Sequence, residues 1–513
     1  MHCRHRTKTS APGRVLPALR LRPLALLLAS GLLAACAAVG PDYRAPPAVD
    51  VGMGWTPPLT QSLGEADLAH WWMELGDPVL DRLIDEALAQ NLDLQQAAAR
   101  VDEARALRAR VAGDQLPTVG VGASVNRRGQ SENGPLPIAS IPGLDATQTI
   151  HDAGFDAAWE LDLFGARRRA LEAADARLQG SEIEAIGVRM HLIAEVARTW
   201  FTARGAGYEV RMQEAILHTF QQNLELVQHR SRAGAASLAE VEAARAQWAS
   251  ADAALPELQA RQRAALISLG VLLGKPPEAE LGLLDVEPEL HDLIAFPVGE
   301  RADILRRRPD VLAAERKLAA STAEIGVATA ELFPKLSIGI GGGFQALSSG
   351  DWFDSSSTRF SVLPLISWRL FDGGRVRAEI RASQARAQQA AIAYEQAVLT
   401  ALADAERALG DYEFGLDALD RHWTTVDAAH ASQRHAQDRY EAGDIALIEL
   451  LMAERALYEA EAAVARAHTS AALRLVALYK ALGGGWEMPA TAPNSAEASF
   501  RPLVSTTNGI SSH

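Results

Sequence analysis

Few residues in this 513-residue chain have the types and spacing that covalent or proton-transfer chemistry needs. The thirteen histidines are scattered. His430 and His435 stand five apart, wrong for one helical face, and read as solvated. The string "GIGGGF", from Gly339 to Phe344, lacks the Lys-Ser/Thr ending with which a phosphate loop grips its nucleotide. No catalytic constellation emerges, so the sequence predicts neither an enzyme nor a metal or cofactor site. One reactive group remains. It is the thiol of Cys36, which closes the run Leu33-Ala34-Ala35-Cys36.

The surroundings of that thiol define its use. Residues 1–23 carry six Lys/Arg and no acid, and an apolar run extends from Leu24 to Leu33. About ten apolar residues are too few to span a bilayer and right for the core of a signal peptide. With Cys36 next, the segment resembles a bacterial lipobox, whose cysteine takes diacylglycerol before cleavage; an ordinary signal peptide with a chance cysteine is the alternative. Ala37 is not the aspartate that usually retains lipoproteins in the inner membrane, which favours the outer one. Each buried lipid methylene contributes ~0.8 kcal/mol, enough for the chains to tether the N-terminus. Cys3 lies in the part removed, so the mature chain has at most one cysteine and no internal disulfide. Losing six cations takes the formal net charge from −14 to −20. Nucleic acid rewards basic patches and is a poor partner for such a chain; a periplasmic body suits it.

The elements repeat. "NLDLQQAAARVDEARALRARVAGDQLP" precedes "RPDVLAAERKLAASTAEIGVATAELFP" by 217 residues, as Asp93 to Asp310 and Pro117 to Pro334 both count. Gly234 to Gly443, Leu238 to Leu447 and Gly274 to Gly483 are each 209 apart. A unit of roughly 200 residues is too long for a solenoid and reads as two copies of one module. Each copy runs helix, strand, loop, strand, long helix, turn, long helix. The boundaries predicted are a signal peptide at 1–35 and a lipidated Cys36 with an extended Pro-rich linker at 36–65. A first repeat covers 66–275, with strands near 118–127 and 154–164 and long helices over 166–273. A linker fills 276–301. A second repeat covers 302–484, with strands near 335–346 and 359–371 and long helices over 373–482; a flexible tail, 485–513, closes the chain. In "HWWMELGDPVLDRLIDEAL" a break falls near Gly76-Asp77-Pro78, and Leu80, Leu83, Ile84 and Leu88 form one stripe.

The strands alternate. Val119, Val121, Ala123 and Val125 share a face, as do Phe155, Ala157, Trp159, Leu161 and Leu163, and Phe360, Val362, Ile366, Trp368 and Leu370. Asp156, Glu160, Asp162 and several glycines take the other. About ten residues with one apolar face match transmembrane β-strands, with aromatics on the lipid-facing parity. Glycines facing a wet lumen need fill no space, and they permit curvature. Two soluble hairpins covered by helices are the alternative. Four strands cannot close a barrel, single-chain barrels begin at eight, and lipid tolerates no open edge, so the chain must oligomerise. No proline interrupts the stretch from Gly165 to Leu255, and a 68-residue helix there would run ~100 Å.

In the order "CAAVGPDYRAPP", "WWMELGDPVLDRLIDEAL", "WELDLFG", "LRRRPDVLAAERKL", "FDGGR" and "LVALYKALGGGW", on this duplication, the chain resembles the TolC/OprM family of outer-membrane efflux channels, particularly its lipid-anchored branch. The resemblance spans nearly the whole mature chain. It implies a mainly α fold with a transmembrane β-barrel contribution: four strands per chain, a trimer with a twelve-stranded barrel, and a helical barrel hanging in the periplasm. The implied partners are two further copies, a periplasmic adaptor, an inner-membrane RND-type pump and outer-membrane lipid. The implied work is a passive exit for drugs or other small solutes. Type I protein secretion is the runner-up, and a non-conducting adaptor lipoprotein is the reading from another class.

Two turns, "RSRAGAAS" and "RYEAGDIAL", reverse the long helices and form a free tip. By resemblance the tip receives the adaptor, with Arg232, Gly234, Tyr440, Gly443 and Asp444 as contact candidates. Past the second turn the family usually places an aspartate in a "LLDAQR"-like string. This chain has "LLMAER", with Met452 in that place. Glu449, three residues earlier on the same helical face, is the substitute for the pore constriction; its repeat mate is Glu240, and Ile448 adds an apolar candidate.

Overall fold

The computed structural model describes residues 38–46, 52, 54–55, 68–131, 145–286, 293 and 301–487. The signal peptide, Cys36, most of the first linker, the loop at 132–144, half of the second linker and the tail from residue 488 lie outside the described residues. The chain divides into two compact units. One gathers residues 1–50, 97–184 and 310–398; the other gathers 51–96, 185–309 and 399–513.

Among the described residues, eight α-helices and four strands follow one another as two parallel series. The first series is α1 (Pro78–Gln90), α2 (Leu92–Gly113), β1 (Thr118–Gly129), β2 (Thr147–Leu161), α3 (Ala166–Arg232) and α4 (Leu238–Leu272). The second is α5 (Ile304–Arg307), α6 (Pro309–Ala330), β3 (Lys335–Ala346), β4 (Thr358–Ser367), α7 (Arg375–Glu441) and α8 (Leu447–Ala481). Helices α3 and α7 have 67 residues each, and α4 and α8 have 35 each. Among the described residues no helix is long and apolar enough to cross a membrane.

In the second unit, Asp77 begins α1 by accepting hydrogen bonds from the Val79 and Leu80 amides, with Pro78 at the first helical position where its missing N–H costs nothing. The buried stripe of α1 is Leu80, Leu83, Ile84 and Ala87; Leu88, expected in it, is half-buried. The other Asp77 oxygen accepts from Trp200 Nε1 at 2.6 Å and from Arg204. This carboxylate is almost wholly enclosed and fully bonded, as a buried charge must be. Trp71 and Trp72 fill the neighbouring core, Trp71 stacking on Tyr479 with centroids 4.4 Å apart.

A second break, which the sequence does not announce, separates α1 from α2 at Asn91. Its side-chain oxygen caps the Leu94 amide and its Nδ2 donates to the Leu272 carbonyl at 2.8 Å. The equivalent Arg308 donates to the Ala481 carbonyl. The repeat therefore extends to the bonds: in each half, the residue before the helix that leads to the sheet ties down the end of the returning helix.

In the first unit the strands form one antiparallel sheet in the order β1-β2-β3-β4. Boundaries differ from the predicted ones. Strand β2 starts at Thr147 rather than near 154 and ends at Leu161, and β4 ends at Ser367 rather than near 371. The gain at the start of β2 comes from pairing: residues 147–153 continue the ladder to Gly129 through Ala123, although their sequence is mixed. The helix ends of the strands are tied alike, with Trp159 Nε1 donating to the Gln115 carbonyl and Trp368 Nε1 to the Leu332 carbonyl, both at 3.0 Å.

Candidate functional site

Three features answer to the predicted functions: the sheet, the tip turns and the N-terminal strap.

The sheet exposes what a soluble sheet would hide. Val121 (88% exposed), Phe360 (89%), Val362 (63%) and Ile366 (71%) stand on one face with Phe155, Trp159 and Ile340. Register aligns them across strands: Val119, Ala157, Ile340 and Val362 in one row, Val121, Phe155, Gly342 and Phe360 in the next. The opposite face carries Asp152, Asp156, Glu160, Ser337, Ser361 and the other glycines. From Val362 to Ile366, β4 is apolar on both faces. Among the described residues, β1 and β4 each have one strand neighbour, so both outer edges of the sheet are open.

Two of the β3 glycines, Gly342 and Gly343, are not there because space is empty. A Cβ on Gly343 would lie 2.2 Å from the Ala153 carbonyl oxygen, and one on Gly342 would meet the Phe155 ring at 2.9 Å. Strands β2 and β3 approach too closely for side chains there. Gly122 on β1 does fit the prediction, with nothing within 4 Å of its Cβ position.

At the tip, α3 ends on Gly234 and α7 on Gly443, both in the left-handed region at φ +76° and +82°. Ala235 N–H bonds the Arg230 carbonyl, and Asp444 N–H bonds the Arg439 carbonyl, both at 2.8 Å. Arg232, Tyr440 and Asp444 are exposed beside them, Arg232 Nε donating to the Gln228 carbonyl. The two turns then differ. Ser237 and Glu240 form a capping box in which the Ser237 amide donates to the Glu240 carboxylate at 2.7 Å. Glu240, a constriction candidate, thus spends its carboxylate on its own helix start. The equivalent cap position in α8 is Ala446, which has no side-chain oxygen, and Glu449 stays exposed with Met452, beside a half-buried Ile448.

The strap lies along the first unit. Val39 N–H donates to the Phe164 carbonyl at 3.0 Å, and the enclosed Arg169 holds Val39, Gly40 and Asp42. Tyr43 O–H donates to Glu315 at 2.8 Å, with Arg316 over its ring; burial and that carboxylate push the phenol far above its ordinary range. Gly40 and Gly326 touch backbone to backbone, and Ala38 rests on Gly165. Cys36 itself lies outside the described residues, two positions before Ala38.

Sequence reasoning missed two pairs. On the polar face of the sheet, Arg359 grips Asp152. A four-residue rhythm of Asp152, Asp156 and Glu160 announces the acidic half of that face, but Asp152 lies before the strand start expected near 154. On α8, Glu461 lies 3.5 Å from His430 Nε2, so this histidine is paired rather than solvated alone. Helix–helix register brings the two together, and no local spacing reveals it.

The family model described as "Outer membrane efflux protein" matches residues 83–275 and 301–484. The pyoverdine export outer membrane protein OpmQ of Pseudomonas aeruginosa is 32% identical over 472 residues, covering 89% of this chain and 96% of that protein. The probable outer membrane lipoprotein SilC of Salmonella typhimurium is 27% identical, covering 89% and 97%. Among solved structures, the outer-membrane channel OprN superposes with a TM-score of 0.77 at 36% identity, over 87% of this chain and 99% of that one. At that TM-score and identity the fold is shared over nearly the whole of the solved chain. The sheet is the membrane wall of an efflux channel of the Gram-negative outer membrane, the helices belong to its periplasmic part, and the molecule's work is conduction rather than catalysis. The chain belongs to the outer membrane efflux protein family.

Proposed function

We propose that three copies of this chain close one ring and act as the passive exit duct of a tripartite assembly. The observation that carries this reading is the exposed apolar face between two unpaired edge strands. Lipid satisfies the face, and only β1 of one copy against β4 of the next satisfies the edges. Three copies give twelve strands, within the range of bacterial barrels. The residues 66–275 and 302–484 act as two halves of each protomer.

The other assignments follow from exposure and placement. The tip, with Arg232, Gly234, Tyr440, Gly443 and Asp444, docks a periplasmic adaptor, which links the duct to a proton-driven inner-membrane pump. Glu449, with Ile448 and Met452, narrows the lumen just inside the tip. Cys36 carries the lipid: the strap delivers its neighbour Ala38 to Gly165, four residues past the end of β2, where acyl chains would meet the membrane wall. The cargo is a small solute. Relatives are named for pyoverdine, cation and antibiotic export, and the pump makes that choice.

Full-length protein made with its own signal, purified and placed in planar bilayers, tests the reading. The expected results are a native mass of three protomers, a diacylated N-terminal Cys36 peptide, and steady conductance that rises in Glu449→Ala. A monomer without conductance would overturn it.

A further inference from the structure

We infer that the Arg359–Asp152 pair sets the charge selectivity of the duct's outer mouth. The inference rests on the proposed function, in which the polar face of the sheet lines the lumen. Arg359, second in β4, is the register partner of Gly343, which in turn partners Gly154. Asp152 is two residues from Gly154 on β2, so the arginine reaches diagonally across the whole width of β3. It can do so because Gly343 has no side chain to stand in the path. Its Nε donates to Asp152 Oδ2 at 2.8 Å and its Nη2 to Oδ1 at 2.6 Å, a two-pronged grip. Gln345 Nε2 adds a third donor at 3.0 Å.

The charges on that face decide the consequence. Toward the helices, Glu160 pairs with Arg167 at 3.3 Å and Lys335 with Glu331. Toward the loop end, among the described strand residues, the polar-face charges are Arg128, the Asp152–Arg359 pair and the exposed Asp156. Two cations and two anions balance. Neutralising Arg359 leaves one uncompensated carboxylate per copy, and neutralising Asp152 leaves one guanidinium. In a wet passage walled by low-dielectric material, a ring of such charges enriches the counter-ion and biases permeation.

Reversal potentials of the full-length protein in planar bilayers under a KCl gradient read the effect. Relative to wild type, R359Q should raise the K⁺/Cl⁻ permeability ratio about two-fold or more, and D152N should lower it about as much. The exchange D152R/R359D keeps the pair and the balance, so it should return the ratio to the wild-type value. R359K, which keeps the charge without the fork, should also hold that value. A merely structural clamp would give both single variants the same sign of change or none; conducting variants with an unaltered ratio overturn the inference. A wild-type protein that does not conduct at all retires the duct reading itself and the inference with it.

Discussion

Gly122 and Gly343 are the same residue used for opposite ends. Around Gly122 nothing stands within 4 Å of a Cβ, whereas one on Gly343 would lie 2.2 Å from a backbone oxygen and 2.5 Å from Gly154 Cα. Gly122→Ala should therefore leave the fold and the proposed three-protomer native mass unchanged. Gly343→Ala should abolish that native mass, because neither backbone contact can give way. The alternation of apolar residues with glycine was readable as a strand beside water; the close approach was not, because it depends on a partner 190 residues away. Glu461 makes a similar point. Burial holds its carboxyl above the usual carboxylate range, against the pull of His430 on α7. Tyr208 on α3 faces it, and Tyr458 stands one turn before it on α8. The folded protein then binds this proton more tightly than the unfolded chain does, so stability falls as pH rises through the raised value. Glu461→Gln should raise Tm at pH 7, with the gap to wild type closing as pH falls toward the ordinary glutamate value of ~4.3. Melting curves followed by circular dichroism across that range check both the sign and the convergence.

Among the elements, the two tip turns share their glycine caps but not their helix starts. Ser237→Ala should cost about 1 kcal/mol at the start of α4, and Ala446→Ser should return about as much to α8, since Glu449 already occupies the third position that a capping box requires. Hydrogen exchange at the amides of residues 447–450 should be faster than at 238–241 in wild type and slow in Ala446→Ser. The same variant draws Glu449 back toward its own backbone, so channel currents read whether that carboxylate narrows the passage. How legible these elements were depended on what made them. The capping Asp77-Pro78 and the apolar stripe of α1 are local and could be read. The break at Asn91 could not, because the bond that rewards it comes from the Leu272 carbonyl, 181 residues along the chain. The tip glycines are legible from the turn strings that reverse the long helices and from the repeat, and the repeat holds down to individual hydrogen bonds at Trp159 and Trp368.

For the molecule as a whole, the strap ties the segment after Cys36, the residue proposed to carry the lipid, to the folded body. Gly40 sits at φ +90°, and a Cβ there would come within 2.4 Å of Gly326 Cα. Gly40→Ala should expel the strap while leaving lipid on Cys36. Limited proteolysis should then cut within residues 38–46, and mass spectrometry should find the acylated peptide released from an otherwise folded core. The architecture was legible where it rests on periodicity and duplication, in helices of nearly the predicted extent and four strands of alternating face. Side-chain pairs across helices and strands were not, since each depends on a register that only the folded chain defines. The two unpaired sheet edges carry a genetic consequence. In the proposed ring every seam is made by two different copies, so a lesion in β1 or β4 is never confined to the molecule that bears it. Co-expressed with the intact gene, such an allele captures healthy protomers into rings that cannot close, and the loss of export is inherited as a dominant trait.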